Sequence, residues 1–369
     1  MLFSVIMPTY RRLDVLRRVL AAWEVQDPVG LDFEVVVVDD GSGDGTTDFL
    51  AQWRPRRYGY RFATQPNAGP AAARNRALSM ASGDHVLFVG DDIEPTPDLL
   101  HQHWRAHRQL DDPTAAVLGL TRWPNDAPLT ATMRHIDGVG AQQFSYHFME
   151  DGAEYDFRHL YTSNVSLRRD LIRREVSADG QGPFSTAFPA AAFEDAELGD
   201  RLARHGMRIV YRRAAVALHH HPYTAAGFFR RQVRCGAMAD VLYRMRPELR
   251  NYLDLDILED LRFHLEPARP SLDTAVRQTE ARALRVAAFF DPLPFDAVDC
   301  FLRPLFRYAY LRGLADARYG AALGLRLAHA LGHKLLMPAA EELGAALACH
   351  GLPTPTADLL ALQHAGYIH

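Results

Sequence analysis

The first quarter of the chain alternates short apolar runs with amphipathic stretches. FSVIMPTY (3–10) is a β-rich run that the pattern stops at Pro8, and RRLDVLRRVLAAWEVQ (11–26) follows with Leu13, Leu16, Leu20 and Trp23 at helical spacing. FEVVVVDDGSGDGT (33–46) is a Val-rich strand, long enough for a buried parallel sheet, that ends in a Gly/Ser/Asp turn. TTDFLAQW (46–53) restarts a helix, and YRFATQPNAG (60–69) reads as strand and loop. GPAAARNRALSMASG (69–83) is an Ala-rich helix closed by Gly83, and it leads into the buried strand HVLFV (85–89). Strands alternating with helices predict an α/β fold with a mostly parallel, twisted sheet and helices on both faces. Such sheets bind ligands at the carboxyl ends of their strands. The polar clusters fall at those ends: Thr9-Tyr10-Arg11, Asp39-Asp40, Asn67-Ala68-Gly69 and Gly90-Asp91-Asp92.

Beyond Asp98 the pattern is mixed until YTSNVSLRRDLI (161–172), a strand running into a helix. FEDAELGDRLARHGMRIVY (193–211) predicts a helix from about Asp195, with Leu198 and Leu202 on one face, a stop at Gly206 and a further strand. From about Asn251 the chain is helical, rich in Leu, Ala and Arg, and broken at Pro267, Pro270, Pro292 and Pro294. Val298, Phe301, Leu302, Leu305 and Ala309 keep helical spacing there, and Arg303, Arg307 and Arg312 read as a solvated face. The expected division is a catalytic domain over residues 1–250 and a helical domain over 251–369.

Composition narrows the classes. Lys and Arg total 41 against 45 Asp and Glu, so the basic excess of a nucleic-acid-binding protein is missing. The three cysteines, Cys235, Cys300 and Cys349, are far apart and fit reduced thiols better than a disulfide framework. The first residues lack a basic signal-peptide region, and no apolar run approaches the ~18 residues of a membrane span. The expectation is a soluble, cytoplasmic protein, with contact at the inner face of a membrane left open.

Asp91 and Asp92 pose the chemical question. Two adjacent carboxylates repel one another unless a cation joins them. A hard divalent ion, Mg²⁺ or Mn²⁺, suits oxygen ligands and brings phosphate as its partner. The plainer account is that one of them caps a following helix. Asp39 and Asp40 offer a second pair to a base N–H or a ribose hydroxyl, with Asx-turn chemistry as the rival for Asp44 and for one of the pair. Asn67, Ala68 and Gly69 are candidate donors to a ligand. Arg74 either reaches a diphosphate or is a surface residue, as Arg76 is read to be. The glycines follow the carboxylates and do not form a Rossmann fingerprint, and no Walker Gly-Lys-Ser/Thr is present.

MPTYRR, VVVVDDGSGDGT, NAGPAAARNRAL, HVLFVGDDIEP, TSNVSLRR and FEDAELGDRLARHG stand in the order seen in family-2-type glycosyltransferases of GT-A fold, and the chain resembles them from Leu2 to Gly236. The resemblance implies inverting transfer from a nucleotide-activated sugar with Mn²⁺ or Mg²⁺. It places Pro8, Thr9, Tyr10, Arg11, Asp39, Asp40, Asn67, Gly69, Arg74 and Asp91 at the nucleotide. It makes Asp92, with Asp91, the metal-binding end of the family's DxD motif, although Gly90 stands where an acid is often found. Asp195 matches the family's Glu-Asp pair as the base, with Glu194 positioning the acceptor. A histidine near residue 219 sometimes completes the metal site in such enzymes. His219 and His221 qualify because alternate residues of an extended chain face the same side. FFRRQVRCG resembles a diphosphate-covering segment through Arg230, Arg231 and Arg234, without its Trp.

The implied partners are a nucleotide-sugar donor, UDP by default, and a glycan, lipid-linked or small-molecule acceptor. No nucleic acid and no transmembrane segment enter, and a homo-oligomer is compatible with the pattern. Two rivals stay open: a catalytically silent nucleotide-sugar-binding module and a nucleotidyltransferase. The second is disfavoured because MPTYRRLD lacks the Gly-rich loop of that class.

Overall fold

The structure, a computed structural model, describes residues 2–27, 30–139, 142–263, 265, 271–293, 296–351 and 356–364. Of the helix-breaking prolines, Pro267, Pro270 and Pro294 lie outside the described residues. Its strands are β1 (Leu2–Thr9), β2 (Asp32–Asp39), β3 (Gly59–Thr64), β4 (His85–Val89), β5 (Ile93–Pro95), β6 (Ala115–Arg122), β7 (Glu154–Tyr155), β8 (Asn164–Arg168) and β9 (Arg208–His219). The helices are α1 (Leu13–Trp23), α2 (Thr46–Gln52), α3 (Gly69–Met80), α4 (Leu99–Leu110), α5 (Ala131–Val139), α6 (Arg169–Arg173), α7 (Glu194–Arg204), α8 (Ala225–Met245), α9 (Leu255–Arg262), α10 (Leu272–Phe290), α11 (Asp299–Leu331), α12 (Met337–His350) and α13 (Thr356–His364).

The chain divides into two compact units, one of residues 1–127 and 148–221, the other of residues 128–147 and 222–369. This division differs from the boundary read near residue 250 on two counts. The second unit begins just after the histidine run, and it borrows α5 from the middle of the first unit's sequence.

All the strands belong to the first unit and join in the order β3-β2-β1-β4-β8-β6-β9-β5, with β7 on β9. The four N-terminal strands run parallel, as the strand–helix alternation predicts, while β8 is antiparallel to both β4 and β6. Phe3, Val5, Val35, Val37, Leu87 and Val89 pack with Leu16, Leu20 and Trp23 of α1 in a core fully shut from solvent. Thr9, Asp39 and Thr64 are register partners, so three neighbouring strands end together and deliver their polar residues to one edge.

Pro8 does not stop β1. Thr9 O accepts from Asp40 N on the β2 side, so alternation turns the Pro8 nitrogen toward β4. The β1–β4 ladder covers only Phe3–Ile6, and no hydrogen bond is lost at Pro8.

Behind the sheet, His103 bonds Ser166 Oγ at 2.8 Å and Asn164 Oδ1 at 2.9 Å, and His107 bonds the same hydroxyl at 2.8 Å. The His85 ring lies 4.5 Å from that of His107. Burial pushes His85 and His103 down to about 4 and His107 well below its usual value.

The second unit is helical. Gly236 of α8 and Gly313 of α11 let the two backbones meet, because a Cβ on either would fall 1.9 Å from a carbonyl oxygen of the other helix. Asp291 ties three helix ends: its carboxylate accepts from Thr132 Oγ1 at 2.6 Å and Ala225 N at 2.7 Å at the end of α10. Of the arginines read as solvated, Arg303 and Arg307 are exposed and Arg312 is half-buried; Arg307 pairs with Asp254 at 3.3 Å and Arg312 with Glu280 at 3.5 Å. Among the described residues no helix is long and apolar enough to cross a membrane.

Candidate active site

Asp91 and Asp92 form a tight turn between β4 and β5, and α4 starts only at Leu99, so neither caps a helix. Both are buried. Asp91 Oδ2 accepts from Thr9 Oγ1 at 2.7 Å, and Asp91 Oδ1 lies 3.7 Å from Arg12 Nη1. Arg12 Nη1 makes its close ion pair with Asp92 Oδ2.

Antiparallel pairing of β5 with β9 sets Ile93 opposite His219, and His220 N donates to Asp92 O at 2.8 Å. Alternation then aims His219 Nε2 and His221 Nδ1 at the same Asp92 oxygen, 3.6 and 3.8 Å away. His220 turns to the other side and meets Glu94 Oε2 at 2.7 Å. Trp123 backs the pair: its ring lies 5.7 Å from that of His219, and its Nε1 donates to His221 O at 3.3 Å.

The two acids are thereby driven apart electrically. Burial and the Asp92 charge push the Asp91 carboxyl up, with Arg12 and Thr9 offsetting only part. Burial also opposes ionisation of Asp92, but His219, Arg12 and His221 outweigh it and hold that carboxyl well below the usual range. Of the pair, Asp92 is the one whose surroundings favour its charged form.

The donor set fits a divalent cation. Two imidazoles lie 3.6 and 3.8 Å from one carboxylate oxygen; the carboxylate suits Mg²⁺ or Mn²⁺, and the imidazoles suit later first-row ions. Among the described residues no group of three or more His, Cys, Asp or Glu side chains is arranged to hold a metal ion by itself. That matches ions which take one or two protein carboxylates and complete their shell with phosphate and water. Gly90 keeps the carboxylate in place, since a Cβ there would come within 2.7 Å of Asp92 Oδ1.

Both acids of the second pair accept hydrogen bonds from the chain itself. Asp39 Oδ1 accepts from Ser42 N at 3.0 Å and its Oδ2 from Thr47 Oγ1 at 2.5 Å, which closes the turn into α2. Asp40 accepts from Gln65 Nε2 and Gly69 N at 2.8 Å, Ala68 N at 3.0 Å and Asn67 Nδ2 at 3.1 Å. The Asn67 amide and Gly69 N–H, expected to face a ligand, are thus turned inward onto Asp40. Arg11, with φ of 53°, sits in the left-handed region; its N donates to Ser42 Oγ at 2.8 Å and its Nε to Ser42 O at 3.3 Å. Such strain persists only where surrounding bonds over-determine it. Tyr10 stays exposed at the strand end, with the Arg11 guanidinium 5.0 Å from its ring centre. A cleft of about 380 Å³ is lined by residues 11–15 together with Asp44, His220 and His221.

The acids of α7 form a second cluster. Phe193 caps the helix with φ of 68°, a strained conformation that sets Glu194 and Asp195 on its first turn. Glu194 is buried; its Oε1 accepts from Arg74 Nη1 and its Oε2 from Ala192 N, both at 2.8 Å. Arg74 is therefore neither a surface residue nor free to reach a diphosphate in this arrangement. Glu194, expected to position an acceptor, has both carboxylate oxygens bonded within the chain. Partly exposed Asp195 has one recorded bond, Oδ1 accepting from Ala196 N at 2.9 Å. Burial and the Glu194 charge raise its pKa far above the usual carboxylate range, against the pull of Arg74 and the helix start. A carboxyl so placed is a competent proton acceptor near neutral pH.

Arg12 and Asn75 were not singled out from sequence. Asn75 clamps the segment leading to α7: its Nδ2 donates to Phe184 O at 2.8 Å and its Oδ1 accepts from Phe184 N at 2.9 Å. Their signals were Arg12 at the start of an amphipathic helix and Asn75 beside Arg74, which look like ordinary helix residues. Arg230, Arg231 and Arg234 lie on α8 in the second unit.

The family model for glycosyl transferase family 2 matches residues 4–175. A validoxylamine A glucosyltransferase of Streptomyces hygroscopicus subsp. jinggangensis is 30% identical over 232 residues, 56% of this chain and 52% of that protein. The poly(ribitol-phosphate) beta-N-acetylglucosaminyltransferase TarS of Staphylococcus aureus is 40% identical over 93 residues, 25% of this chain and 16% of that protein. The mannosyltransferase PcManGT from Pyrobaculum calidifontis, solved with GDP-Man and Mn²⁺, is 20% identical with a TM-score of 0.49, over 99% of this chain and 87% of that one. The chain spans about half the length of the validoxylamine A glucosyltransferases it matches.

Proposed function

With residues 4–175 belonging to glycosyl transferase family 2, we propose that the chain is an inverting, metal-dependent glycosyltransferase. It moves a sugar from a nucleoside diphosphate, UDP by preference, to a hydroxyl of a glycan, lipid-linked or small-molecule acceptor. The observation that carries this reading is the convergence of His219 and His221 on the Asp92 carboxylate at the carboxyl end of β4. Asp92, with His219, His221 and the neighbouring Asp91, would hold Mn²⁺ or Mg²⁺. Such an ion, when bound, withdraws charge from a departing diphosphate oxygen.

The remaining steps belong to the chain itself. Tyr10 offers an exposed ring to the base, and Thr9 fixes Asp91 beside the ribose. Asp195 takes the proton from the acceptor hydroxyl as its oxygen bonds to the anomeric carbon. The bond from that carbon to the diphosphate breaks, its electron pair leaves with the phosphate oxygen, and attack from the opposite face inverts the configuration. The helical unit is assigned to the acceptor or to self-association, and the chain to the cytoplasm or a membrane's inner face.

A thermal-shift screen of UDP-, GDP- and dTDP-sugars with and without Mn²⁺ tests donor and metal together, because a ligand of the native state raises its apparent stability. Metal-dependent stabilisation by one nucleotide class, followed by EDTA-sensitive sugar release, is expected. Stabilisation without sugar release points to a silent binding module, and no stabilisation by any of them refutes the reading.

A further inference from the structure

Glu194 and Asp195 are chain neighbours on one helix turn, yet their surroundings differ. Both oxygens of Glu194 are engaged, one by the buried Arg74 guanidinium and the other by the Ala192 amide, and a mere 3% of the residue is exposed. Asp195 keeps access to solvent, and Ala196 N is bonded to only one of its oxygens.

Arg74 is itself fixed. It projects from α3 one residue before Asn75, whose amide holds the chain at Phe184, and its guanidinium lies 5.5 Å from the Phe184 ring centre. Its Nε is buried without a hydrogen-bond partner, so the side chain is held by Glu194 and the ring rather than by a network of its own. Removing either partner of such a buried pair leaves the other charge uncompensated.

We propose that Arg74 is a positioning residue: it pins the Glu194 carboxyl on the first turn of α7 and so divides two adjacent carboxyls into a structural one and a proton-accepting one. This rests on the reading of Asp195 as the base. The leading charges on Asp195 are Glu194, which favours its protonated form, and Arg74, which opposes it. Other ionisable groups on and beside α7 are tied elsewhere: Glu197 and Glu175 to Arg201, His205 to Glu175, Asp200 to Arg204, and Arg158 and His159 of the adjacent 157–159 turn to Asp156.

The two charges have opposite signs, so their removal has opposite effects. Carboxyl titration by NMR with ¹³C-labelled aspartate, assigned through Asp195→Asn, reads the proton affinity of Asp195 without any turnover. Glu194→Gln is expected to lower the Asp195 midpoint and Arg74→Gln to raise it, each by about one pH unit, a tenfold change in proton affinity. Arg74→Lys, which keeps the charge and guards against a folding failure of the glutamine variant, is expected to stay near the wild-type midpoint. The acid limb of the transfer rate against pH should follow the same order. Midpoints that move together, or not at all, in the two glutamine variants overturn the proposal. Midpoints that move as expected while the acid limb of the rate stays fixed uphold Arg74 and remove Asp195 as the base.

Discussion

The Arg12 guanidinium lies against the Asp92 carboxylate, from a position 80 residues earlier in the chain. The charge that neutralises the acidic turn between β4 and β5 thus comes from the start of α1. On the proposed reading, a divalent ion and Arg12 compete for one oxygen. Arg12→Gln should therefore tighten Mn²⁺ binding measured by electron paramagnetic resonance without nucleotide, while Asp92→Asn should abolish it. Unchanged Mn²⁺ affinity in both would remove the ion from this turn.

Gly90 supplies a second check on the same carboxylate. An alanine Cβ there would meet Asp92 Oδ1 at 2.7 Å, and the acid must swing aside. Gly90→Ala is expected to weaken Mn²⁺-dependent nucleotide binding at least tenfold while leaving the melting temperature close to wild type. Wild-type binding in this variant would show that the position of Asp92 does not matter.

Asp195→Asn should preserve nucleotide binding and cut the transfer rate by about 10²–10⁴, the usual worth of a positioned base. Because the Asp195 pKa is raised, wild-type activity should rise with pH through a limb well above the ordinary carboxylate range. Single-turnover transfer with acceptor in excess measures both. An unaffected rate in the asparagine variant would send the search for the base elsewhere.

For Asp40 the expected loss is of stability rather than of recognition. Its carboxylate gathers the Gln65 and Asn67 side chains and the Ala68 and Gly69 amides. Removing a buried acceptor costs about 1–3 kcal/mol per donor left unsatisfied. Asp40→Ala should lower the denaturant midpoint by that order, with nucleotide affinity falling only as the fold loosens. A fully stable variant that no longer binds nucleotide would restore the direct role read from sequence.

Acid should destabilise the first unit through His85, His103 and His107. Their folded pKa values lie below the ordinary 6.5, so the unfolded chain binds more protons as pH falls below that value. Stability present above pH 6.5 is then lost down to about 4, at up to about 1.4 kcal/mol per pH unit for each ring. Melting followed between pH 7 and 5 should show this fall, and His103→Gln should flatten it. A pH-independent melting temperature would mean that the three rings are not buried neutral.

The parallel half of the sheet was legible because each strand there is a near-continuous apolar run ended by a polar turn. The strand ends at Thr9, Asp39 and Asp92 could be read for the same reason, as could the parity of His219 and His221. The split into units was not legible: 128–147 leaves and returns with no change in composition. Roles within the acidic pairs were also hidden, because Asp40 and Asp92 look alike in sequence and differ only in what reaches them. Asp40 meets amides from four residues away in space, and Asp92 meets a guanidinium and two imidazoles.

The short pairing of Ile93–Pro95 with β9 makes the odd and even histidines mechanically distinct. A single residue inserted between Val216 and His219 would exchange their faces, presenting one imidazole to the acidic turn and two to Glu94. The chemistry of the three rings would be unchanged, yet the imidazoles facing the acidic turn would be halved. Within this strand, counting matters more than content.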